Sequence, residues 1–490
     1  MSRDGSAGRS FGWPSLDAAW ATVAVLVPVT VTFFSRTLAI DLAYQMRAGE
    51  LMLSSHRLLE TDPFTFTRFG EPWLNEQWGA QVLLGALYRA GGWPLIDLSR
   101  GLLVGVIVAL LYLACRARGV GARTASLLTI AGWLVGIEII NQLRPQLFAF
   151  VLFALCVWAL ATRHGHPWRI WIVPASVVPW VDIHGSFPLT VVLLCFAWLE
   201  DRGTDRGLAR RSLLAAAASI ALTFVNPYGP RVWTYVWDLS THPIVSRQVA
   251  EWGPPSIHTW TGRFFFASLL AIAVWLARRG RPTGWVPLIE LGTFAVLSLL
   301  AIRGVAWWGL YAPVVVAGLI ADGKPARAVA PSGEDLPDRS PINAVIIAAL
   351  ALVACVGFAS LSGTDPNTGA PAMLTLAPEQ LIEAVRANVP PGTHVFASEL
   401  QASWTEFSAP EFPLAVDPRI EIFPQEIWDD YFVVSTGREG WQDVLNRWNV
   451  DALILHPDQD SGLLAVIGRD PTWRLVADSD DGSVYVRTAQ

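Results

Sequence analysis

The chain has 490 residues, of which 53% are hydrophobic and 16% are charged, and its mean hydropathy is +0.41. Soluble globular proteins carry about 25% charged residues, so this composition excludes an ordinary soluble protein. The net charge of −6 comes without a basic stripe outside short loops, which argues against a nucleic-acid-binding surface. The four cysteines lie in apolar runs and form neither a CxxC pair nor a disulfide framework.

Apolar runs of helix length follow one another along most of the chain, and a membrane-crossing helix needs roughly 20 residues. About eleven membrane spans are predicted, at 16–36, 95–115, 122–140, 146–162, 169–182, 187–200, 211–225, 263–278, 285–302, 305–321 and 341–361. The sequence therefore predicts a polytopic α-helical membrane domain over residues 16–361. It is preceded by a cytoplasmic tail over residues 1–15, and its first outer loop covers residues 41–90.

The basic residues concentrate in alternate loops, as expected when cytoplasmic loops carry an excess of Arg and Lys. The loops predicted to be cytoplasmic contain Arg116, Arg118, Arg123, Arg163, Arg169, Arg202, Arg206, Arg210, Arg211, Arg278, Arg279, Arg281, Lys324, Arg327 and Arg339, and the N-terminal tail contains Arg3 and Arg9. The opposite loops are rich in Trp, His, Pro and acids. This pattern predicts a cytoplasmic N-terminus and an extracytoplasmic C-terminus.

From about residue 372 the composition becomes that of a water-exposed domain. The helical patterns PEQLIEAVRANV and WQDVLNRW alternate with the strand candidates HVFAS, PLAVD and DALILH, and TWRLVAD and SVYVRT form a predicted terminal hairpin. We expect a small α/β domain over residues 372–490 on the extracytoplasmic side.

The first outer loop contains the carboxylates that best suit chemistry at a membrane surface. Asp41 stands where the chain leaves the first span and opens a helical pattern. A helix N-cap alone would account for an Asp at this position. The alternative is a general base that faces a membrane-embedded substrate. Glu76 and Asp62 add two further carboxylates to the same loop.

Two arginines stand at predicted outer ends of membrane helices, where a charge is costly unless it is used. Arg144 and Arg303 fit phosphate binding, because the guanidinium fork matches phosphate oxygens. Snorkelling or pairing with a loop carboxylate would also explain them. His184 is a structural residue or a donor to phosphate or sugar, and Glu251-Trp252 is a candidate sugar or acceptor subsite.

Several short motifs resemble those of the GT-C superfamily of membrane glycosyltransferases, near the protein-mannosyltransferase-like and aminoarabinose-transferase-like enzymes. The first outer loop reads D-x7-G-x12-D-P-F-x-F-T from Asp41, then G-x-x-W-x-N-E-x-W from Gly70. The later matching blocks are Leu143–Phe148, Pro179–Phe187, Glu251-Trp252, Arg303 and Asp417-Pro418-Arg419. Asp182 and Pro418 depart from the family pattern, which has Asn and Gly there.

The resemblance implies a polyprenyl-phosphate-linked sugar donor and a reaction on the outer face of a bacterial plasma (inner) membrane. It makes Asp41 the candidate catalytic base and Glu76 a second catalytic carboxylate. The expected substrate-binding residues are Asp62, Arg144, His184, Glu251, Trp252 and Arg303. A divalent cation is a possible cofactor, although Asp182 and His184 alone do not define a metal site.

The predicted function is therefore transfer of a sugar from the lipid-linked donor to a glycan, lipid or protein acceptor. Two alternatives stay open. A transporter or flippase for lipid-linked sugars would use the same pocket without a base, and would be expected to contain paired repeats. A non-catalytic envelope assembly protein would instead depend on the region 372–490.

Overall fold

The computed structural model describes residues 12–241, 250–280, 282–322 and 339–488. Some residues used in the topology prediction lie outside these ranges, namely Arg3, Arg9, Arg281, Lys324 and Arg327. The helices up to residue 361 are α1 (Leu16–Phe34), α2 (Ala39–Ser55), α3 (Trp78–Ala117), α4 (Ala122–Val135), α5 (Ile137–Ile140), α6 (Pro145–Ala161), α7 (Ile172–Trp180), α8 (Leu189–Asp201), α9 (Arg206–Leu222), α10 (Arg231–Thr241), α11 (Trp260–Arg278), α12 (Trp285–Leu300), α13 (Gly304–Asp322) and α14 (Pro341–Leu361).

Every predicted span overlaps one of these helices. Five helices among the described residues, α1, α3, α11, α13 and α14, are long and apolar enough to cross a membrane. The chain is thus a helical membrane protein, while the number of eleven crossings stays a prediction. The long helix α3 is broken at Gly91 and Gly92, where the backbone is non-helical and Gly92 has φ of 60°.

The helices differ in how much protein covers them. In the most apolar 18-residue stretch of α13, 83% of the residues are buried inside the protein. In the corresponding stretch of α14, only 11% of the residues are buried. The uncovered surface of α14 is apolar and includes Val345, Leu352 and Val356. In a membrane protein such a surface faces lipid, so α13 is central and α14 peripheral.

The C-terminal region forms a four-stranded sheet in the order β3-β4-β6-β5, with β3 parallel to β4 and the other pairs antiparallel. Its strands are β3 (His394–Ala397), β4 (Val450–Leu455), β5 (Trp473–Ser479) and β6 (Gly482–Arg487). Its helices are α15 (Glu379–Asn388), α16 (Glu399–Ser408), α17 (Gln425–Ser435), α18 (Trp441–Arg447) and α19 (Ser461–Ile467).

The strand predicted at residues 413–417 is wrong. Only Leu414 makes bridges there, to Val395 of β3 and to Thr65 of the first outer loop. Proline at positions 413 and 418 lacks a backbone N–H, so this segment cannot extend a ladder of hydrogen bonds. It instead connects the C-terminal sheet to the first outer loop.

One hydrophobic core runs through both parts of the chain. Leu42 and Met46 of α2 belong to the same buried cluster as Trp404 of α16 and Leu414. A short parallel ladder also joins β1 (Thr37–Leu38) to β2 (Leu374–Thr375). Helix α2 is consequently held between α3 and α16, with its N-terminal end beside a cavity.

Candidate active site

A cavity of about 600 Å³ lies between the membrane helices and the C-terminal region. This size is typical of small-molecule sites. Its wall is built from separate stretches of chain. They include the start of α2, the start of α6, the turn after α7, helix α10, the loops before α11 and before α13, and part of the C-terminal region.

Arg144 lies on the cavity wall. It is the N-cap residue of α6, where Pro145 fixes the first helical position. Its Nη1 atom donates to Asp41 Oδ2 at 3.2 Å and to Glu251 Oε1 at 2.9 Å. Its Nε and Nη2 atoms are buried and have no hydrogen-bond partner within the described chain. One edge of the guanidinium group thus holds two acids, while the other edge is free to donate.

Asp41 is the third residue of α2, not its cap. The cap position is Leu38, which makes no side-chain cap hydrogen bond. The carboxylate of Asp41 pairs instead with Arg144, and its side chain keeps 40% of its surface exposed on the cavity wall. The N-cap explanation therefore does not account for this residue, and its carboxylate is open to a ligand.

Glu251 bridges the two predicted phosphate-binding arginines. Arg303 Nη2 lies 3.5 Å from Glu251 Oε2, and the Arg303 guanidinium group stacks 4.1 Å from the Trp252 ring centroid. Burial raises the pKa of Glu251, but the guanidinium groups of Arg144 and Arg303 outweigh it and hold the pKa below its ordinary value. Glu251 is therefore ionised and keeps both arginines in place.

His184 is a neutral hydrogen-bonding group. Its Nδ1 accepts from the backbone N–H of Ser186 at 3.2 Å and lies 2.8 Å from the Ser186 hydroxyl. Burial, and then the charges of Arg303 and Arg144, lower its pKa to about 3. Because Nδ1 accepts, the ring proton is on Nε2, so His184 acts as a donor without a positive charge.

Glu76 also lies on the cavity wall, in an unusual state for a predicted catalytic carboxylate. It is 2% exposed, and neither carboxylate oxygen has a partner within the described residues. Burial, followed by the charges of Asp182 and Glu421, raises its pKa well above its ordinary value. Burial thus favours the protonated form of Glu76, which is both a hydrogen-bond donor and an acceptor.

Asp62 is not brought to the cavity. It accepts from Arg419 Nη2 at 2.5 Å and from the backbone N–H of Phe64 at 3.1 Å, and Arg419 also pairs with Asp417. The Arg419 guanidinium group stacks 4.4 Å from the Trp73 ring centroid. Asp62 thus ties the first outer loop to the C-terminal region, and the ion pair is fully buried.

The C-terminal region contributes cavity residues that the sequence reasoning missed. Glu399 opens α16 and faces the cavity, and Tyr235 of α10 donates to Glu421 Oε1 at 3.0 Å. Burial, and then the charges of Asp41 and Asp417, raise the pKa of Glu399 to about 7. No local motif marks Tyr235 and Glu421, because the two partners are 186 positions apart in the chain.

The cavity acids are arranged around arginines and not around a metal position. Among the described residues, no group of three or more His, Cys, Asp or Glu side chains could hold a metal ion. Asp41 and Glu251, which are both half-buried, each direct an oxygen to Arg144 Nη1. The residues present therefore do not fit a preformed divalent-cation site.

The fold of this chain is similar to that of several solved structures. The archaeal oligosaccharyltransferase AglB from Archaeoglobus fulgidus, in complex with an inhibitory peptide and a dolichol-phosphate, matches with a TM-score of 0.55 at 13% identity, over 96% of this chain and 74% of AglB. The apo form of the A. fulgidus oligosaccharyltransferase matches with a TM-score of 0.52 at 13% identity, over 89% of this chain and 70% of the other. ArnT from Cupriavidus metallidurans in the apo state matches with a TM-score of 0.51 at 14% identity, over 95% of this chain and 96% of ArnT.

This chain has the GT-C fold. The resemblance inferred from the sequence motifs is thereby confirmed at the level of fold. No protein-family model matches the chain, and no curated protein matches it. With identities of 13–14%, the GT-C neighbours establish the architecture, and the chemistry must be argued from the cavity.

Proposed function

We propose that this chain is a membrane glycosyltransferase that moves a sugar from a polyprenyl-phosphate-linked donor to an extracytoplasmic acceptor. One observation carries the proposal. Asp41, Arg144, Glu251 and Arg303 come from four distant stretches of the chain and meet in a single cavity.

The unpartnered edge of Arg144 is the proposed phosphate site. Its Nε and Nη2 atoms, together with Arg303 Nε, are buried donors without a partner in the described chain. Phosphate oxygens accept charge-assisted hydrogen bonds from such a pair of guanidinium groups. His184 adds a neutral donor on the same cavity wall. The leaving phosphate would then be stabilised by fixed donors as its negative charge develops.

Asp41 is the proposed general base. The acceptor hydroxyl oxygen attacks the anomeric carbon of the donor sugar, and the bond from that carbon to the phosphate oxygen breaks. The phosphate leaves with the bonding electron pair, and the hydroxyl proton passes to Asp41. Since Arg144 binds Asp41 with Nη1 and offers its other nitrogens to phosphate, one side chain sets the distance between base and leaving group.

The structural neighbours support this choice of substrate. The AglB structure contains a dolichol-phosphate, which is a polyprenyl-type lipid phosphate. We further propose that the chain lies in a bacterial plasma membrane with eleven spans and the cavity on the outer face. Residues 372–490 would then close the cavity from the extracytoplasmic side, with a glycan, lipid or protein as acceptor.

Asp41→Asn and Arg144→Gln separate the two roles. Membranes containing the chain are supplied with polyprenyl phosphate that carries a radiolabelled hexose, and the label that leaves the donor lipid is counted. Asp41→Asn should lower transfer about 100-fold or more, because a general base contributes at least that much. It should keep the affinity for polyprenyl phosphate within about threefold, since Arg144 and Arg303 are retained.

Arg144→Gln should weaken polyprenyl-phosphate binding about tenfold or more, because hydrogen bonds to charged groups are worth roughly 1.5–3 kcal/mol. Gln425→Leu, an exposed change outside the cavity, serves as the control for both measurements. Full transfer activity in Asp41→Asn would overturn the proposed base. Unchanged lipid binding in Arg144→Gln would overturn the proposed phosphate site.

A further inference from the structure

Three polar side chains on the cavity wall are buried with unsatisfied hydrogen-bonding atoms. Gln45 is 1% exposed, Glu76 is 2% exposed and Gln146 is 4% exposed. Within the described chain, no partner is found for Gln45 Oε1, for either oxygen of Glu76, or for Gln146 Nε2. None of these atoms is used by the phosphate site or by Asp41.

Buried polar atoms without partners destabilise the folded protein unless a ligand supplies the missing hydrogen bonds. Buried polar groups are nearly always hydrogen-bonded, and each one left without a partner costs roughly 1–3 kcal/mol. The amide of Gln45 is fixed in orientation, because its Nε2 lies 2.6 Å from both the Tyr44 hydroxyl and Gln77 Oε1. Its Oε1 atom is thereby left as an acceptor. Gln146 supplies the opposite function, an amide donor.

The mixture of donors and acceptors identifies the chemistry of the missing partner. An ammonium group only donates, so it cannot satisfy the Gln146 amide N–H. A carboxylate only accepts, so it cannot donate to the unpartnered Gln45 Oε1. A hydroxyl group both donates and accepts, and therefore suits all three side chains. Neighbouring hydroxyls on one small molecule are the hallmark of a sugar ring.

The position of these side chains places that ring beside the phosphate. Gln146 lies two residues after Arg144, in the first turn of α6. A ring attached to a phosphate on the free edge of Arg144 would thus be within the same cavity as Gln146. Gln77, which accepts from the Gln45 amide, is the residue next to Glu76. Gln45 and Glu76 therefore lie near each other on the cavity wall.

We propose that Gln45, Glu76 and Gln146 bind the hydroxyls of the donor sugar and select a neutral sugar that carries neither an ammonium nor a carboxylate group. This inference rests on the proposed function and names the substrate class of the same site. It assigns Glu76 to sugar recognition, while proton abstraction stays with Asp41.

The affinity of the purified chain is measured for four lipids with the same polyprenyl chain. They are polyprenyl phosphate alone, and polyprenyl phosphate carrying a hexose, a hexosamine with a free amino group, or a hexuronic acid. The hexose lipid should bind about tenfold or more tightly than the other three. Equal affinity for the hexose lipid and the bare lipid would overturn the sugar site, and so would a preference for the charged sugars.

Substitutions then test which side chains produce the preference for the hexose lipid. Glu76→Leu and Gln146→Leu should each lower the affinity for the hexose lipid about tenfold, towards that of the bare lipid, and Glu76→Gln should lower it less. Gln425→Leu should leave all four affinities unchanged. Retention of the full preference in both Leu variants would overturn the proposal.

The unfolding temperature of each variant is measured without added lipid. Because Glu76 has no partner to lose, Glu76→Leu should unfold at the same temperature as the wild type or higher. A lower unfolding temperature would mean that Glu76 supports the fold, and would overturn its assignment to the sugar. If the bare polyprenyl phosphate itself fails to bind, it is the phosphate site, and hence the proposed function, that fails.

Discussion

Arg144 shows at the scale of one residue how the cavity is organised. Its backbone is extended because it precedes Pro145, which disfavours a helical conformation for the residue before it. The side chain can therefore cross to Asp41 and Glu251, more than one hundred positions away on either side. The sequence indicated a costly charge at a helix end, but it could not indicate which acids that charge would meet.

His184 gives a first prediction, on the pH dependence of stability. Its pKa is about 3 in the folded chain and about 6.5 when unperturbed, so between these values mainly the unfolded state binds the proton. The wild type should lose stability through this residue as the pH falls from 6.5 towards 3. His184→Gln should therefore gain unfolding temperature relative to the wild type over that range. A constant difference between the two proteins from pH 7 to pH 4 would contradict the neutral buried His.

Glu399 gives a second prediction, in which stability depends on pH in the opposite direction. Its pKa is about 7 in the folded chain and about 4.5 when unperturbed, so the folded state binds the extra proton between these values. The wild type should lose stability through this residue as the pH rises from 4.5 to 7, where burial of the charge becomes costly. Glu399→Gln should accordingly gain unfolding temperature relative to the wild type over the same range. A difference that shrinks with rising pH would contradict the position of Glu399 on the buried wall.

At the scale of elements, helix α2 illustrates what could be predicted. Its existence follows from the helical pattern after Asp41, but its burial on two sides does not. Gly49 contacts α3 so closely that a Cβ atom there would lie 1.9 Å from the backbone oxygen of Gln81. Helix α16, which covers the other side, was not predicted from the sequence. Contacts of this kind depend on the shapes of distant segments, and the local sequence carries no record of them.

The buried cluster around Arg419 predicts how the C-terminal region is attached. Arg419→Met would leave Asp62 and Asp417 as buried charges without their cation, which costs about 3–5 kcal/mol. Arg447→Met, which breaks the exposed pair with Asp430, should cost less than about 1 kcal/mol. Thermal unfolding of the two variants in the same detergent measures the contrast. Equal losses would show that the Arg419 cluster does not hold the two parts together.

At the scale of the whole molecule, the sequence predicted the membrane class, a helix at each of the predicted spans and the GT-C resemblance, but not α10, α16, α17 or α19. Those features follow from apolar length and short motifs, which are local properties. The cavity itself is not local, because the C-terminal region supplies part of its wall. Predicting residues 372–490 as an appended domain therefore concealed Glu399 and Glu421, and the Asp62 carboxylate was assigned to substrate when it binds Arg419.

The proposed orientation in the membrane can be tested with engineered cysteines. Gly203 lies in a loop predicted to be cytoplasmic, with open space around its Cα, and Glu439 is exposed in the C-terminal region. The exposed native residues Cys195 and Cys355 are first replaced by Ala. In intact cells, a membrane-impermeant thiol reagent should label Glu439→Cys and not Gly203→Cys. Labelling of Gly203→Cys alone would place the cavity on the wrong face for the proposed donor.

The most direct test of the proposed phosphate site beside Asp41 is a cryo-electron microscopy map of the purified chain with polyprenyl phosphate. The phosphate density should lie within hydrogen-bonding distance of the Arg144 Nε and Nη2 atoms and of Arg303, with the Asp41 carboxylate still on Arg144 Nη1. A phosphate bound elsewhere, with Arg144 still occupied only by Asp41 and Glu251, would contradict the glycosyltransferase site.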